Sequence, residues 1–181
     1  MNEGLIPRRY AKALYEVAAE HSQETSLYGL MTTLLQEADS HSGLQRTLAN
    51  PYVTNADKDN LLTTAAGADA SDTVFAQWLG LLAANRRYGM APDIARAYVM
   101  CYRAEKNIFP VTVTSAAPLA PAESERIKAL IQTHIGDATM EYKQQIDPAL
   151  IGGFTIDIAS ERLDTSVRNT LEQMRLQLTK N

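Results

Sequence analysis

His21, His41, His134 and Cys101 are the side chains of this 181-residue chain best suited to ligate a metal or attack a substrate. None of them stands in a pattern that such chemistry needs. A zinc-binding H-E-x-x-H puts two imidazoles one helical turn apart, whereas these three histidines fall in separate segments, two near helix ends and His41 in a polar loop. Cys101, between Met100 and Tyr102 in a helical stretch, reads as a small buried hydrophobe. As the only cysteine it forms no internal disulfide, which fits a reducing compartment. Asp157 and Asp164 could be offered as paired carboxylates for acid-base work. Alternation puts Asp157 on the polar face of a strand, and Asp164 stands just ahead of a helix, where N-capping is the simpler role. Gly152-Gly153 lacks the Lys-Ser/Thr sequel of a phosphate loop and leads into an alternating strand, so a tight turn or bulge is expected. We therefore expect no catalytic residue, no cofactor and no metal.

Charge points the same way. Lys and Arg number 17 against 21 Asp and Glu, a net charge of −4, and a surface that holds nucleic acid by neutralising phosphates is usually basic. Arg8-Arg9 and Arg86-Arg87 are small basic pairs, expected to be solvated or ion-paired. Residues 1–106 carry 10 basic and 12 acidic side chains and residues 107–181 carry 7 and 9, so each half is −2 and neither end is an electrostatic arm. Apolar runs fall far short of the ~20 residues of a spanning helix. The first ten residues lack the apolar core of a signal peptide. The expectation is a soluble chain that stays where it is made.

The elements that must position any site change character near residue 107. Before it the apolar period is helical throughout, giving six helices. Tyr10, Leu14, Val17 and His21 form one stripe, with Ala11, Tyr15 and Ala18 beside it; Leu27, Leu30, Met31, Leu34 and Leu35 form the next. Leu44 and Leu48 belong to a short helix stopped at Asn50-Pro51. Asn55 is expected to cap the segment with Leu61 and Leu62, and Ser71 or Asp72 the one running from Val74 through Leu82, with Gly89 ending it. Pro92 opens a sixth helix through Ile94, Tyr98 and Tyr102. After Asn107, Val111 and Val113 alternate with threonines as a strand. A helix from Pro121 follows, with Ile127, Leu130, Ile131 and His134 on its apolar side. Two strands come next, through Met140–Ile146 and Phe154–Ile158, and a last helix shows Val167, Leu171, Met174 and Leu178. The fold class is thus α+β in two domains: an all-α six-helix bundle over 1–106 and a small β-α-β-β-α domain over 107–181.

Two helices carry more apolar surface than one-sided packing needs. From Tyr10 to Ala19 the polar residues are only Lys12 and Glu16, a narrow strip. From Val74 to Ala84 only Gln77 is polar. A surface helix buries an apolar arc of little more than ~100°. Either both helices are central in the bundle, or their surplus faces form a groove for a partner's amphipathic helix. Small residues such as Ala13 and Gly80 would allow close approach.

The same residues carry a resemblance. Arg9-Tyr10-Ala11-Lys12-Ala13-Leu14-Tyr15 resembles the opening helix of the δ subunit of F-type ATP synthases, whose mitochondrial relative is the oligomycin-sensitivity-conferral protein. Trp78 to Arg87 is similar to that family's fifth helix, F-L-x-x-L-x-x-N-x-R, and Val113 to Leu119 to its strand and turn after the linker. The most specific matches are Ile146-Asp147-Pro148-Ala149-Leu150-Ile151-Gly152-Gly153-Phe154 and Leu163-Asp164-Thr165-Ser166-Val167-Arg168. Glycine is common in the family where Thr165 stands, a departure expected to stiffen a turn.

The resemblance implies a non-catalytic stator subunit at the cytoplasmic face of the bacterial inner membrane, peripheral and not inserted. Its helical domain would grip the N-terminal helix of one α subunit, through Tyr10, Ala13, Leu14, Val17, Trp78, Leu81 and Asn85. Phe75, Leu79 and Leu82 are spaced equally well on the fifth helix and are assigned to the core. The second domain would meet the b subunits of the peripheral stalk, organised by Gly152, Gly153, Asp164 and Val167.

Overall fold

A computed structural model describes residues 4–159, 161–167 and 169. The chain divides into two compact units, Met1–Glu105 and Lys106–Asn181.

The first unit holds α1 (Leu5–Glu20), α2 (Glu24–Ser40), α3 (Ser42–Ala49), α4 (Asn55–Ala66), α5 (Thr73–Asn85), a 3-10 turn (Tyr88–Met90) and α6 (Ala91–Glu105). α6 packs against both α1 and α2. Ala11, Ala18 and Ala95 are fully buried, so small side chains let these helices lie close. Larger groups then fill the seam: the Tyr15 ring lies 6.4 Å from Tyr98 and 6.3 Å from Tyr102, and Tyr28 stacks on Tyr102 at 4.4 Å. From α2, Leu27, Met31 and Leu34 are buried, each stabilising the fold by about 1.5–3 kcal/mol on transfer grounds.

Two helix ends differ from the sequence expectation, each for a local reason, and the expected N-cap of α5, Asp72, is in place without a side-chain bond to the helix. Thr54, not Asn55, caps α4: its Oγ1 accepts from Asp57 N–H (3.2 Å) and donates to Asp57 Oδ2 (2.7 Å). Asp72 precedes α5, but its carboxylate is taken by Ser26 Oγ (3.0 Å) and Asp69 N–H (3.0 Å). Gly89 does not end α5. Arg86 does, in a left-handed conformation (φ 55°), with its N–H on Ala83 O and that of Arg87 on Leu82 O. That pair of bonds closes a helix end usually built on glycine.

The second unit holds β1 (Ile108–Ser115), α7 (Pro121–Ile135), β2 (Thr139–Ile146), a 3-10 turn (Pro148–Leu150), β3 (Phe154–Ile158) and β4 (Glu161–Asp164). The sheet order is β2-β1-β3-β4, with β1 parallel to β2 and antiparallel to β3, and β3 antiparallel to β4. β4 is a fourth strand where the sequence suggested three. Its four residues are all exposed, so it has no alternating apolar face to announce it.

Alternation holds on the central strand: Val111, Val113 and Ser115 are buried and the intervening threonines half-buried. α7 covers this face with Ile127 and Ile131, which join Val111, Val113 and Ile156 in the core, with Ile135 packed alongside. Leu130 is 70% exposed and His134 turns to Glu161 Oε2 at 3.3 Å, so neither belongs to the apolar side. The buried row is Ile127 and Ile131 with Ile135 packed alongside, four apart, and Leu130 and His134 lie at the edge of that face turned to solvent. Asp164 ends β4, and its Oδ1 accepts from Ser166 N–H (2.9 Å). The helical cap is Ser166, whose Oγ accepts from Asn169 N–H (3.2 Å). Leu171, Met174 and Leu178 of the expected last helix lie outside the described residues.

Candidate partner-binding groove

Helical spacing brings Ile6, Tyr10, Ala13, Leu14 and Val17 onto one flank of α1, and Val74, Trp78 and Leu81 onto one flank of α5. Together they line an open groove of about 740 Å³, with Arg9, Gln77 and Arg87 as its polar members. The opposite flank of α1 carries Tyr15 and the buried Ala11 and Ala18; Tyr15 meets the rings of α6. α1 is therefore apolar on two sides for two reasons. One flank packs in the bundle and the other is open.

Six of the seven residues expected in the groove are brought together there: Tyr10, Ala13, Leu14, Val17, Trp78 and Leu81. They play unequal parts. Leu81 is 48% exposed, while Trp78 is 2% exposed and forms the floor, its ring 5.3 Å from Phe75. The Trp78 indole Nε1 is buried without a hydrogen-bond partner among the described residues. Asn85 does not line the groove: its Nδ2 donates to Leu81 O at 2.8 Å, satisfying a carbonyl in the last turn of its own helix. Gly80 is exposed and lies off the groove as well, so only Ala13 of the two small residues borders it. Phe75, Leu79 and Leu82 are buried in the core.

Two lining residues, Ile6 and Arg87, are not among those expected in the groove. Ile6 sits one turn before Tyr10 on the same flank, a signal available in the spacing. Arg87 follows the left-handed Arg86, a turn that helical periodicity does not register. Its Nη1 donates to Tyr10 Oη at 2.9 Å and its Cζ lies 5.4 Å from the Tyr10 ring centre.

In the second unit Gly152, Gly153, Asp164 and Val167 meet in one corner. Gly152 O accepts from Val167 N–H (3.0 Å), and Phe154 O accepts from Thr165 N–H (3.1 Å) and Thr165 Oγ1 (2.8 Å). Gly153 has φ +76°, the backbone region where glycine is favoured. Thr165 suits its place because its hydroxyl ties the turn to β3. Ile151, at 68% exposure, and Val167, at 42%, flank this corner, and a cleft of about 510 Å³ runs from Gly152 and Phe154 to Leu119, Glu123 and Arg126.

Titratable groups shifted by burial are found in the packing of the first unit, while Asp69 and Lys128 are shifted at the surface by hydrogen bonds to Ser71 and Glu125. Burial raises the Tyr98 pKa, with Glu24 adding to it. Burial and the bond to Asp59 raise that of Tyr88, and burial raises the Cys101 thiol. No group of three or more His, Cys, Asp or Glu able to hold a metal occurs among the described residues.

The family model described as "ATP synthase delta (OSCP) subunit" matches residues 6–178. The chain belongs to the ATP synthase delta (OSCP) subunit family. A delta subunit of Parabacteroides distasonis is 32% identical over 181 residues, covering 100% of this chain and 99% of that protein. One from Bacteroides thetaiotaomicron is 36% identical over 178 residues, covering 98% and 95%. The fold is similar to a chain in the cryo-EM structure of the Toxoplasma gondii mitochondrial ATP synthase hexamer (TM-score 0.68, 23% identity, 96% and 97% covered). The chain is thus a delta-type subunit of F-type ATP synthase, a component of the peripheral stalk. No helix among the described residues of this delta-family chain is long and apolar enough to cross a membrane.

Proposed function

We propose that this delta-family subunit is a non-catalytic clamp that joins the catalytic head to the peripheral stalk. In this reading residues 1–106 act as a six-helix bundle that holds the N-terminal helix of one α subunit in the α1–α5 groove. Residues 107–181, a β-α-β-β-α domain to which β4 adds an edge, meet the b subunits at the Gly152–Gly153 corner and the last helix. The clamp sits at the cytoplasmic face of the bacterial inner membrane as a peripheral part of the complex. It keeps the head from turning with the rotor, so that proton or sodium flow is spent on the catalytic sites.

The observation that carries the reading is the groove itself. It is a preformed apolar trough whose two walls are helices, the recognised seat for an amphipathic helix. A static grip must outlast a rotor cycle, and affinity among related complexes is set mostly by dissociation rate, so the α helix should leave slowly. Two domains on two partners add avidity within the assembly.

Calorimetric titration of the full chain with a synthetic peptide of the α subunit's N-terminal segment tests this reading. One-to-one binding that Leu81→Arg abolishes without loss of fold supports it; absence of binding by folded protein sinks it.

A further inference from the structure

Among the described residues the polar members of the groove are Arg9, Arg87 and Gln77, and none of the lining residues is a carboxylate. In a chain of net charge −4 this is a local reversal of sign. Neither arginine makes an ion pair among the described residues. Arg87 is held in place: the left-handed turn at Arg86 sends it back toward α1, where Tyr10 Oη accepts its Nη1 at 2.9 Å. One N–H is spent there, and a guanidinium carries five. Its partly buried position beside apolar side chains weakens solvent screening. Arg87 lies past the end of α5, beyond Val74, Trp78 and Leu81, and so stands at that end of the groove beside Tyr10, with Arg9 next to Tyr10 in the chain.

We infer that the helix docked in this groove carries a carboxylate that pairs with Arg87, and that this pair fixes which way the helix lies. The inference rests on the groove reading above and adds the chemistry of its occupant: an amphipathic helix, apolar on one face, with an acidic residue at one end of that face. An apolar trough alone accepts a helix in either direction. A cation at one end breaks that symmetry, because the reversed helix leaves its carboxylate unpaired and Arg87 covered by apolar surface. Arg87 is well suited to this, since a guanidinium pairs with a carboxylate in two-point geometry that an ammonium does not reproduce.

The test uses the full chain and the α N-terminal peptide, with the single tryptophan, Trp78, as the fluorescent reporter on the groove floor. Arg87→Met keeps the length of the stem and removes the charge. It should weaken binding roughly five- to tenfold at low salt, a gap that narrows at high salt. Arg87→Lys should recover part of the loss. On the peptide side, replacing each carboxylate in turn by its amide carries no risk to the fold of the subunit. One such peptide should lose affinity for the wild type and lose nothing further for Arg87→Met. Wild-type affinity of Arg87→Met at every salt concentration, or no peptide carboxylate coupled to it, overturns this inference while leaving the groove intact. An unmodified peptide that fails to bind overturns the groove reading, and this inference with it.

Discussion

A Cβ built on Gly153 would lie 2.5 Å from the carbonyl oxygen of Thr165 and 3.1 Å from the Cα of Ser166. Both obstacles are backbone, and neither can rotate away. The turn before β3 and the turn after β4 are thus in contact at a point where only a hydrogen fits. This joins the Gly-Gly motif to the Leu163–Val167 motif in space, although they are separate in sequence.

Gly153→Ala should therefore destabilise the second unit by about 2–4 kcal/mol, combining the clash with the cost of a side chain at φ +76°. Urea unfolding followed by far-UV circular dichroism measures this. A midpoint unchanged from wild type would mean the turn relaxes freely. The expected secondary effect is loss of b-subunit binding with α-peptide binding retained.

Leu81 and Trp78 separate stability from binding. Trp78→Ala removes a fully buried ring and should cost about 3–5 kcal/mol of folding free energy, so any loss of affinity would be confounded by unfolding. Leu81, half-exposed at the groove mouth, should cost under about 1 kcal/mol when cut to alanine, while peptide affinity falls by about 1–2 kcal/mol. Paired thermal melts and titrations decide this; equal losses in both would remove Leu81 from the interface.

Arg86→Gly should stabilise the first unit by about 1 kcal/mol, because an L-residue in the left-handed region carries a cost that glycine avoids. The measurement is the shift of the chemical unfolding midpoint, with peptide affinity as a control. A lower midpoint would mean that the Arg86 side chain contributes more than its backbone costs.

Alkaline pH should unfold the first unit through its buried tyrosines. Tyr98 and Tyr88 have raised folded-state pKa values, so the unfolded chain loses these protons first, near a pH of about 10. Their contribution is fully present below that pH and is lost as pH rises beyond it. Tyr98→Phe gives up the bond to Glu24 O (3.2 Å) and Tyr88→Phe the bond to Asp59 Oδ1 (2.7 Å). The double variant should be less stable at neutral pH, yet lose less stability between pH ~8 and ~11 than the wild type does. An equally steep loss in both would contradict this.

Helical spacing puts Tyr10, Leu14 and Val17 on one flank of α1, but on α5 it offers Trp78 and Leu81 or Phe75, Leu79 and Leu82 equally, and only the family resemblance separates the two rows. What periodicity misses is local hydrogen bonding. Asn85 belongs to the family motif, but its amide folds back on the Leu81 carbonyl, a choice no spacing reveals. Arg86 ends α5 where Gly89 looked the better stop, because Leu82 and Ala83 offered their carbonyls three residues earlier. Arg87 is expected to be solvated or ion-paired, because nothing local shows its bond to Tyr10, 77 residues away. β4 escaped notice because a short exposed edge strand need not alternate. The Gly152-Gly153 pair announces a tight turn, but nothing in the sequence shows the backbone that Gly153 presses against.

The central claim is that one unit of this subunit holds the head and the other holds the stalk. Its most direct test is co-sedimentation of the full chain with purified α/β head and, separately, with the soluble part of the b subunits. The wild type should bind both. Leu81→Arg should release the head and keep b, and Gly153→Ala, at a temperature where its first unit stays folded, should do the reverse. Retention of the head by a folded Leu81→Arg variant would contradict the account.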